Sequence, residues 1–156
     1  MSADNTDGRL DGRVALVSGA GRGIGLAIAQ SLAARGASVV LADNGGDVGG
    51  NDPDASVAQG AAADIGDNAV AFTESIASAE GASAAVACAT ENFGGLDILV
   101  NNAAILRDGF IFKSDPDDFR DVIETNLCGA WYLANAASPV MRAQAKAERG
   151  GAPYDW

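Results

Sequence analysis

Residues 14–17 read VALV, four apolar side chains in a row with no polar residue between them. Successive side chains of a strand point to opposite faces, so a strand with one wet face alternates apolar and polar residues. An unbroken run instead predicts a strand buried on both sides, as in a parallel sheet covered by helices. The run breaks into SGAGRGIG (residues 18–25) and continues as IGLAIAQSLAAR (residues 24–35), a helical stretch closed by Gly36. A buried strand, a glycine loop and a helix, in that order, frame the rest of the chain.

The alternation then repeats. Residues 38–42 (SVVLA), 69–72 (AVAF) and 96–100 (LDILV) predict three more strands, and residues 54–65 and 78–93 predict the helices between them. Residues 44–53 (NGGDVGGNDP) form a loop longer than a compact α/β connection needs, which marks it as functional. Asp115 can cap a final helix, Pro116 suits its first turn, and Asp117 and Asp118 favour the positive end of its dipole. That helix is expected to run to about residue 149. Phe119, Val122, Ile123, Leu127, Ala130, Trp131 and Ala134 fall on one face of it and are expected to pack inward. The order β-α-β-α-β-α-β-α predicts one domain with a parallel sheet, helices on both faces and right-handed crossovers. Twenty glycines and only 6% aromatic residues suit close helix–sheet packing.

Charge and residue types exclude several functions. A formal charge of −11 opposes a nucleic-acid surface, because a phosphate backbone is repelled. With no histidine in 156 residues, Ser-His-Asp and Cys-His catalysis are excluded and no metal site is expected. Cys88 and Cys128 sit in helix-like segments and read as reduced core thiols. The first nine residues are polar and read as a disordered tail, and no segment reaches membrane-spanning length. A cytoplasmic protein with no signal peptide, anchor or membrane partner is expected.

The glycine loop has two readings. Gly19, Gly23 and Gly25 form G-x-x-x-G-x-G, which differs from both the G-x-G-x-x-G dinucleotide fingerprint and the P-loop. Free N–H groups at a helix start, together with the dipole, bind anionic oxygen, and glycine lets a pyrophosphate approach. The other reading is a tight strand–helix turn that uses glycine for packing alone. Asp43, at the end of the second strand, favours the first. An acid there can accept hydrogen bonds from the adenosine ribose hydroxyls and repels a 2′-phosphate, so NAD is expected over NADP. Arg22 opposes that preference if its side chain turns towards the ribose.

With SGAGRGIG (residues 18–25) and NNAA (residues 101–104) both in view, the chain resembles the short-chain dehydrogenase/reductase family. That family carries TGxxxGxG after its first strand and NNAG after its fourth. Here Ser18 replaces threonine, and Ala104 replaces glycine, a strained change if that position needs a positive φ. A third string, VIETNLCG (residues 122–129), resembles the helix segment that carries the family's catalytic asparagine, which places that role on Asn126. Read from its surroundings alone, Asn126 is an amide within an apolar stripe, bonded to a neighbouring strand's backbone.

The resemblance implies a Rossmann-type doubly wound sheet of order 3-2-1-4, truncated after the fourth strand and the following helix. Residues 10–156 then form an incomplete NAD(P)-binding domain. It further implies a cofactor held by Ser18, Gly19, Arg22, Gly23, Ile24, Gly25 and Asp43, with Ser75 and Ile76 at the adenine and Asn102, Ala103 and Ala104 on the nicotinamide-ribose side. Ser75 departs from the pattern, since many members have Asp there. Hydride would pass between nicotinamide C4 and an alcohol or carbonyl carbon, with Asn126 holding a water that links a lysine to solvent. The loop after Asp43 and the string NAAILRD (residues 102–108) look like the (3R)-hydroxyacyl-CoA dehydrogenase units of multifunctional enzymes.

The family's serine and Tyr-x-x-x-Lys would follow residue 156, and neither Tyr132 nor Tyr154 has a lysine four residues on. The chain is therefore expected to be a fragment that binds cofactor without turning over. The intact protein would be a homo-oligomer acting on a small alcohol or carbonyl compound. A non-catalytic NAD-binding module or partner subunit is the alternative. More distant is an S-adenosylmethionine-dependent methyltransferase, whose loop usually begins on an acid where Ser18 stands.

Overall fold

The computed structural model describes residues 9–147. The expected carry-through of the last helix to about residue 149, and Tyr154, lie outside the described residues. Four strands, β1 (Val14–Ser18), β2 (Ser38–Ala42), β3 (Ala69–Phe72) and β4 (Ile98–Val100), form one parallel sheet of order β3-β2-β1-β4. Leu16 on β1 stands opposite Val40 on β2 and Leu99 on β4. The connecting helices are α1 (Gly23–Ala34), α2 (Ala55–Ile65) and α3 (Ala79–Phe93).

The period of two sorts the strand residues into two cores. Val14, Leu16, Val40 and Ala42 gather with Ala82, Ala85, Val86 and Ala89 of α3 on one face. Ala15, Val17, Val39 and Leu41 gather with Ala29 of α1 and Ala61 and Ala62 of α2 on the other. All five β1 residues are buried, as the unbroken run requires. The helix residues at both contacts are nearly all alanine, so the layers approach closely without large side chains interdigitating. This is a doubly wound Rossmann-type α/β sheet.

Caps set the helix starts. Ser56 N–H donates to the Asp54 carboxylate at 2.9 Å, and Gly81 N–H donates to the Ser78 hydroxyl at 3.0 Å. At the other end of α3, Gly94 closes the helix at φ +80° in the left-handed region. Strand β4 begins at Ile98 rather than Leu96. The Leu96 N–H instead donates to Gln144 Oε1 at 2.7 Å, and the Asp97 carboxylate accepts from Val14 N–H at 2.9 Å and from Gln144 Nε2 at 3.1 Å. Asp97 thus ties the lower ends of β1 and β4 to the far end of the last helix.

That last helix departs from expectation in two ways. It is two α-helices, α4 (Pro116–Ile123) and α5 (Gly129–Lys146), joined by a π-helical turn over Glu124–Cys128. Its buried face is Gly129, Leu133 and Ala137, backed by Ala136, Val140 and Met141 against α3. The expected inward stripe faces outward instead: Phe119 is 65% exposed, Leu127 62% and Trp131 61%. No residue of α4 is buried, so Phe119 is already exposed ahead of the π turn, and the outward face continues through Leu127 to Trp131 beyond it. The face that meets the alanine-rich α3 also takes smaller side chains than the face left outside.

Leu133 is fully buried and Trp131 is not. Leu133→Ala should therefore cost about 2–5 kcal/mol in denaturant unfolding, and Trp131→Ala less than about 1 kcal/mol. The opposite ranking would mean that the stripe, not the Leu133 face, meets the core.

Candidate functional site

The carboxyl ends of β1 and β4 are joined by two side chains. The buried Ser18 hydroxyl donates to Val100 C=O at 3.3 Å and accepts from Asn102 N–H at 3.0 Å and Ala103 N–H at 3.1 Å. A hydroxyl has one proton and two acceptor sites, so all of Ser18 is spent. Ser18 was expected among the cofactor contacts; it positions the site instead. Asn102 Nδ2 returns the connection, donating to Ser18 C=O and Gly19 C=O, both at 3.0 Å. The glycine loop and the NNAA turn are therefore one rigid unit.

Glycine is required where they touch. Gly19 sits at φ +65°, and a Cβ there would come within 2.8 Å of the Ala103 Cα. A Cβ on the buried Gly25 would run into the Gly19 carbonyl. Ala104, by contrast, carries no positive φ, so the alanine in place of the family's glycine is free of backbone strain.

A cleft of about 700 Å³ opens above this unit. It brings together Gly19, Arg22, Asp43, Ser75, Ile76, Asn102, Ala103, Ala104 and Asn126, from five separate chain segments. The other expected residues stand off its wall. Gly25 is buried beneath the loop, while Gly23 and Ile24 form the exposed first turn of α1, with Ile24 75% exposed. Helices α2, α3 and α4 each begin on a capping side chain, whereas α1 begins on Arg22 with none. The first N–H groups of a helix need partners, and at this end no side chain supplies one.

Asp43 lies at the head of β2, its Oδ2 accepting from Gly21 N–H at 2.8 Å and its Oδ1 from Gly45 N–H at 2.7 Å. A carboxylate offers about four lone-pair sites, so about two remain for a ligand. Arg22 lies on the same wall, its Nη2 donating to Gly45 C=O at 2.8 Å.

Asn126 sits within the π turn and is exposed rather than buried. Its Oδ1 accepts from Ile105 N–H at 2.9 Å and its Nδ2 donates to Ile105 C=O at 3.0 Å. The amide thus reads the backbone five residues past β4, as a strand-like partner would, and anchors the segment behind NNAA. A π turn inserted in an α-helix is a recurrent mark of a functional site. Tyr132 offers no acid–base group: Glu124, and then burial, pushes its phenol above the usual value, away from the range of a proton-transferring tyrosine. Burial likewise pushes the Cys88 thiol up, as suits an inert core cysteine.

The loop over residues 44–53 supplies the walls that sequence reasoning flagged only in general terms: Asn44, Gly46, Asp47, Val48 and Gly50 face the cleft. Arg107, Asp121, Glu124 and Thr125 also line it, and no spacing in the sequence announces them. Asp121 and Glu124 lie within the last helix, where they read as solvent-side charges.

Residues 13–150 match the family model of the short chain dehydrogenases, and the chain belongs to that family. It is 39% identical over 141 residues to the 3-oxoacyl-(acyl-carrier-protein) reductase FabG of Vibrio cholerae, covering 90% of this chain and 53% of that protein. It is 39% identical over 139 residues to the mouse peroxisomal multifunctional enzyme type 2, covering 87% of this chain and 18% of that protein. Among solved structures, a 3-ketoacyl-(acyl-carrier-protein) reductase of Brucella melitensis with NADH superposes at TM-score 0.79 and 32% identity, over 88% of this chain and 53% of that one. L-sorbose reductase of Gluconobacter frateurii with NADPH and L-sorbose gives TM-score 0.79 and 31% identity, over 89% and 51%. The chain spans about half the length of most of these proteins. Family membership leaves the methyltransferase alternative without support. Multifunctional and single-function relatives are equally similar, so the subgroup is not singled out.

Two carboxyls, Asp47 within the loop and Asp54 where it enters α2, are held below their usual value: Asp47 by Asn51 N–H, and Asp54 by the Ser56 hydroxyl and N–H. A depressed folded value stabilises the ordered loop above the unfolded value and is lost as acid protonates the folded group. Hydrogen exchange of residues 44–53 should therefore stay protected from about pH 8 to about pH 5 and loosen only below about pH 4. Loosening near neutrality would contradict these contacts.

Proposed function

We propose that the cleft binds NAD(H), and that the chain is the cofactor-binding part of a cytoplasmic oxidoreductase moving hydride between nicotinamide and a small alcohol or ketone. The observation that carries this reading is the uncapped, glycine-lined start of α1, with Asp43 at the head of β2. The N–H groups of residues 22–24 would hold the pyrophosphate, Asp43 the adenosine ribose, Ile76 and Ser75 the adenine side, and Asn102–Ala104 the nicotinamide ribose. When bound, the nicotinamide supplies the hydride-carrying carbon. The residues of this chain orient it: Ser18 and Asn102 hold the two walls together, and Asn126 holds the Ile105 backbone behind them.

The acids around the cleft, Asp43, Asp47 and Glu74, favour NAD over NADP, because they repel a 2′-phosphate. Arg22, on the same wall and bonded through one nitrogen to the neutral Gly45 carbonyl, keeps its charge and opposes that preference as one cation against three acids. The outward stripe of Phe119, Leu127 and Trp131 supports self-association of the intact protein. No described helix is long and apolar enough to cross a membrane. No Tyr-x-x-x-Lys occurs in the 156 residues, and this chain alone is expected to turn over no alcohol.

Calorimetry with both cofactors tests the reading. NAD should bind at least about 10-fold more tightly than NADP, and Asp43→Asn should erase most of that ratio. The ratio is the readout because a general loss of folding lowers both affinities. Equal binding of the two cofactors would refute the specificity, and alcohol oxidation by the purified chain would refute the division of labour.

A further inference from the structure

Among the described residues, Arg107 is the one cation whose contacts join three separate segments at the cleft: the loop after β2, the turn after β4, and α4. Its Nε donates to Gly49 C=O at 2.9 Å. Its Nη1 lies 2.8 Å from both Asp118 Oδ1 and Asp121 Oδ2. The two acids are three residues apart and share one face of α4, where they would repel each other without a cation between them. A planar guanidinium can meet all three acceptors at once, whereas a lysine ammonium on its flexible stem cannot hold that fixed fan.

The loop that Arg107 grips closes a turn on itself at that end. Asp47 N–H donates to Asn51 C=O at 2.8 Å, Gly50 N–H to Asp47 C=O at 3.0 Å and Asn51 N–H to the Asp47 carboxylate at 2.9 Å, but the loop has few bonds there to other segments. It carries glycine at 45, 46, 49 and 50 and contains no helix or strand. Near Arg107 it gains one backbone hydrogen bond, from Leu106 N–H to Val48 C=O at 2.9 Å. Gly50, at φ +83°, lies so close to Ile105 that a Cβ would come within 2.9 Å of the Ile105 Cγ2. At the other end Arg22 grips Gly45. The loop is therefore a strap running from the Asp43 end of the cleft to the turn behind Ala104, with a guanidinium pinning each end. Between the pins, Gly46, Asp47 and Val48 form cleft wall.

We infer that Arg107 is a positioning residue for the cofactor: pinned between α4 and Gly49, it holds the 44–53 strap as the cleft wall along the nicotinamide half. The inference rests on the NAD(H) reading above. The adenosine half meets the strap near its Arg22 pin and does not depend on the Arg107 pin. Loss of that pin then weakens ligands that span the cleft and spares those that fill only the adenosine end.

Two variants of the chain test this from opposite sides. Arg107→Lys keeps the charge beside Asp118 and Asp121 but gives up the fork, and Asp118→Asn with Asp121→Asn removes the anchor and leaves Arg107 in place. In both, amide exchange in residues 44–53 of the free protein should rise about 10-fold, while β1 and β2 exchange stays unchanged. NADH affinity should fall about 10-fold, and AMP affinity should change less than about 2-fold. If the parent chain binds no NADH, the cofactor reading fails and takes this inference with it. If the parent binds NADH and the variants bind it equally well, the pin alone is overturned. Unchanged strap exchange, or equal losses for NADH and AMP, overturns it too.

Discussion

Everything at the open end of this sheet depends on how β1 and β4 are held together. Ser18 spends its whole hydroxyl on the backbone of Val100, Asn102 and Ala103, and Asn102 spends its amide on Ser18 and Gly19. Each of these groups is partly or fully buried, where an unmade hydrogen bond costs about 1–3 kcal/mol, so the arrangement has little freedom to vary. With the two strand ends locked, the glycine loop is held over Ala103, with Gly19 and Arg22 on the cleft wall just ahead of the uncapped start of α1. A loop of four glycines would otherwise sample many conformations, and an anion site needs one.

A second set of contacts passes this order outward. Asn126 fixes Ile105 from both its backbone groups, and Arg107, two residues on, grips the strap and α4 together. The π turn at Glu124–Cys128 brings Asn126 to that position. Two layers of polar side chains thus organise backbone that carries no regular structure of its own. This is why the cleft walls come from segments far apart in the chain.

Much of this was legible in the residues. Apolar runs identified all four strands, most cleanly β1 and β2, where burial on both faces leaves no room for alternation, while Asp97 interrupts the fourth run and β4 begins only after it. Asp54, Ser78 and Asp115 marked three helix starts, because caps act locally. Gly19, Asp43, Asn102 and Asn126 were each picked out and do meet at one cleft. Other residues were misplaced by the same local logic. Ser18 read as a ligand contact because a hydroxyl beside a phosphate loop is plausible until its partners across the sheet are counted. The stripe through Phe119, Leu127 and Trp131 read as core because a helix that is apolar on two sides does not say which side meets the sheet.

The sequence by itself determined the element order and the two-sided burial of the central strands, since these follow from periodicity, capping and backbone freedom within short windows. Only the tertiary structure decided the π turn, the face of α5 that packs on α3, and the gathering of Arg107, Asp118, Asp121 and Gly49 at one point. Those depend on contacts between segments many residues apart, and no local pattern encodes which distant backbone group a given side chain will find.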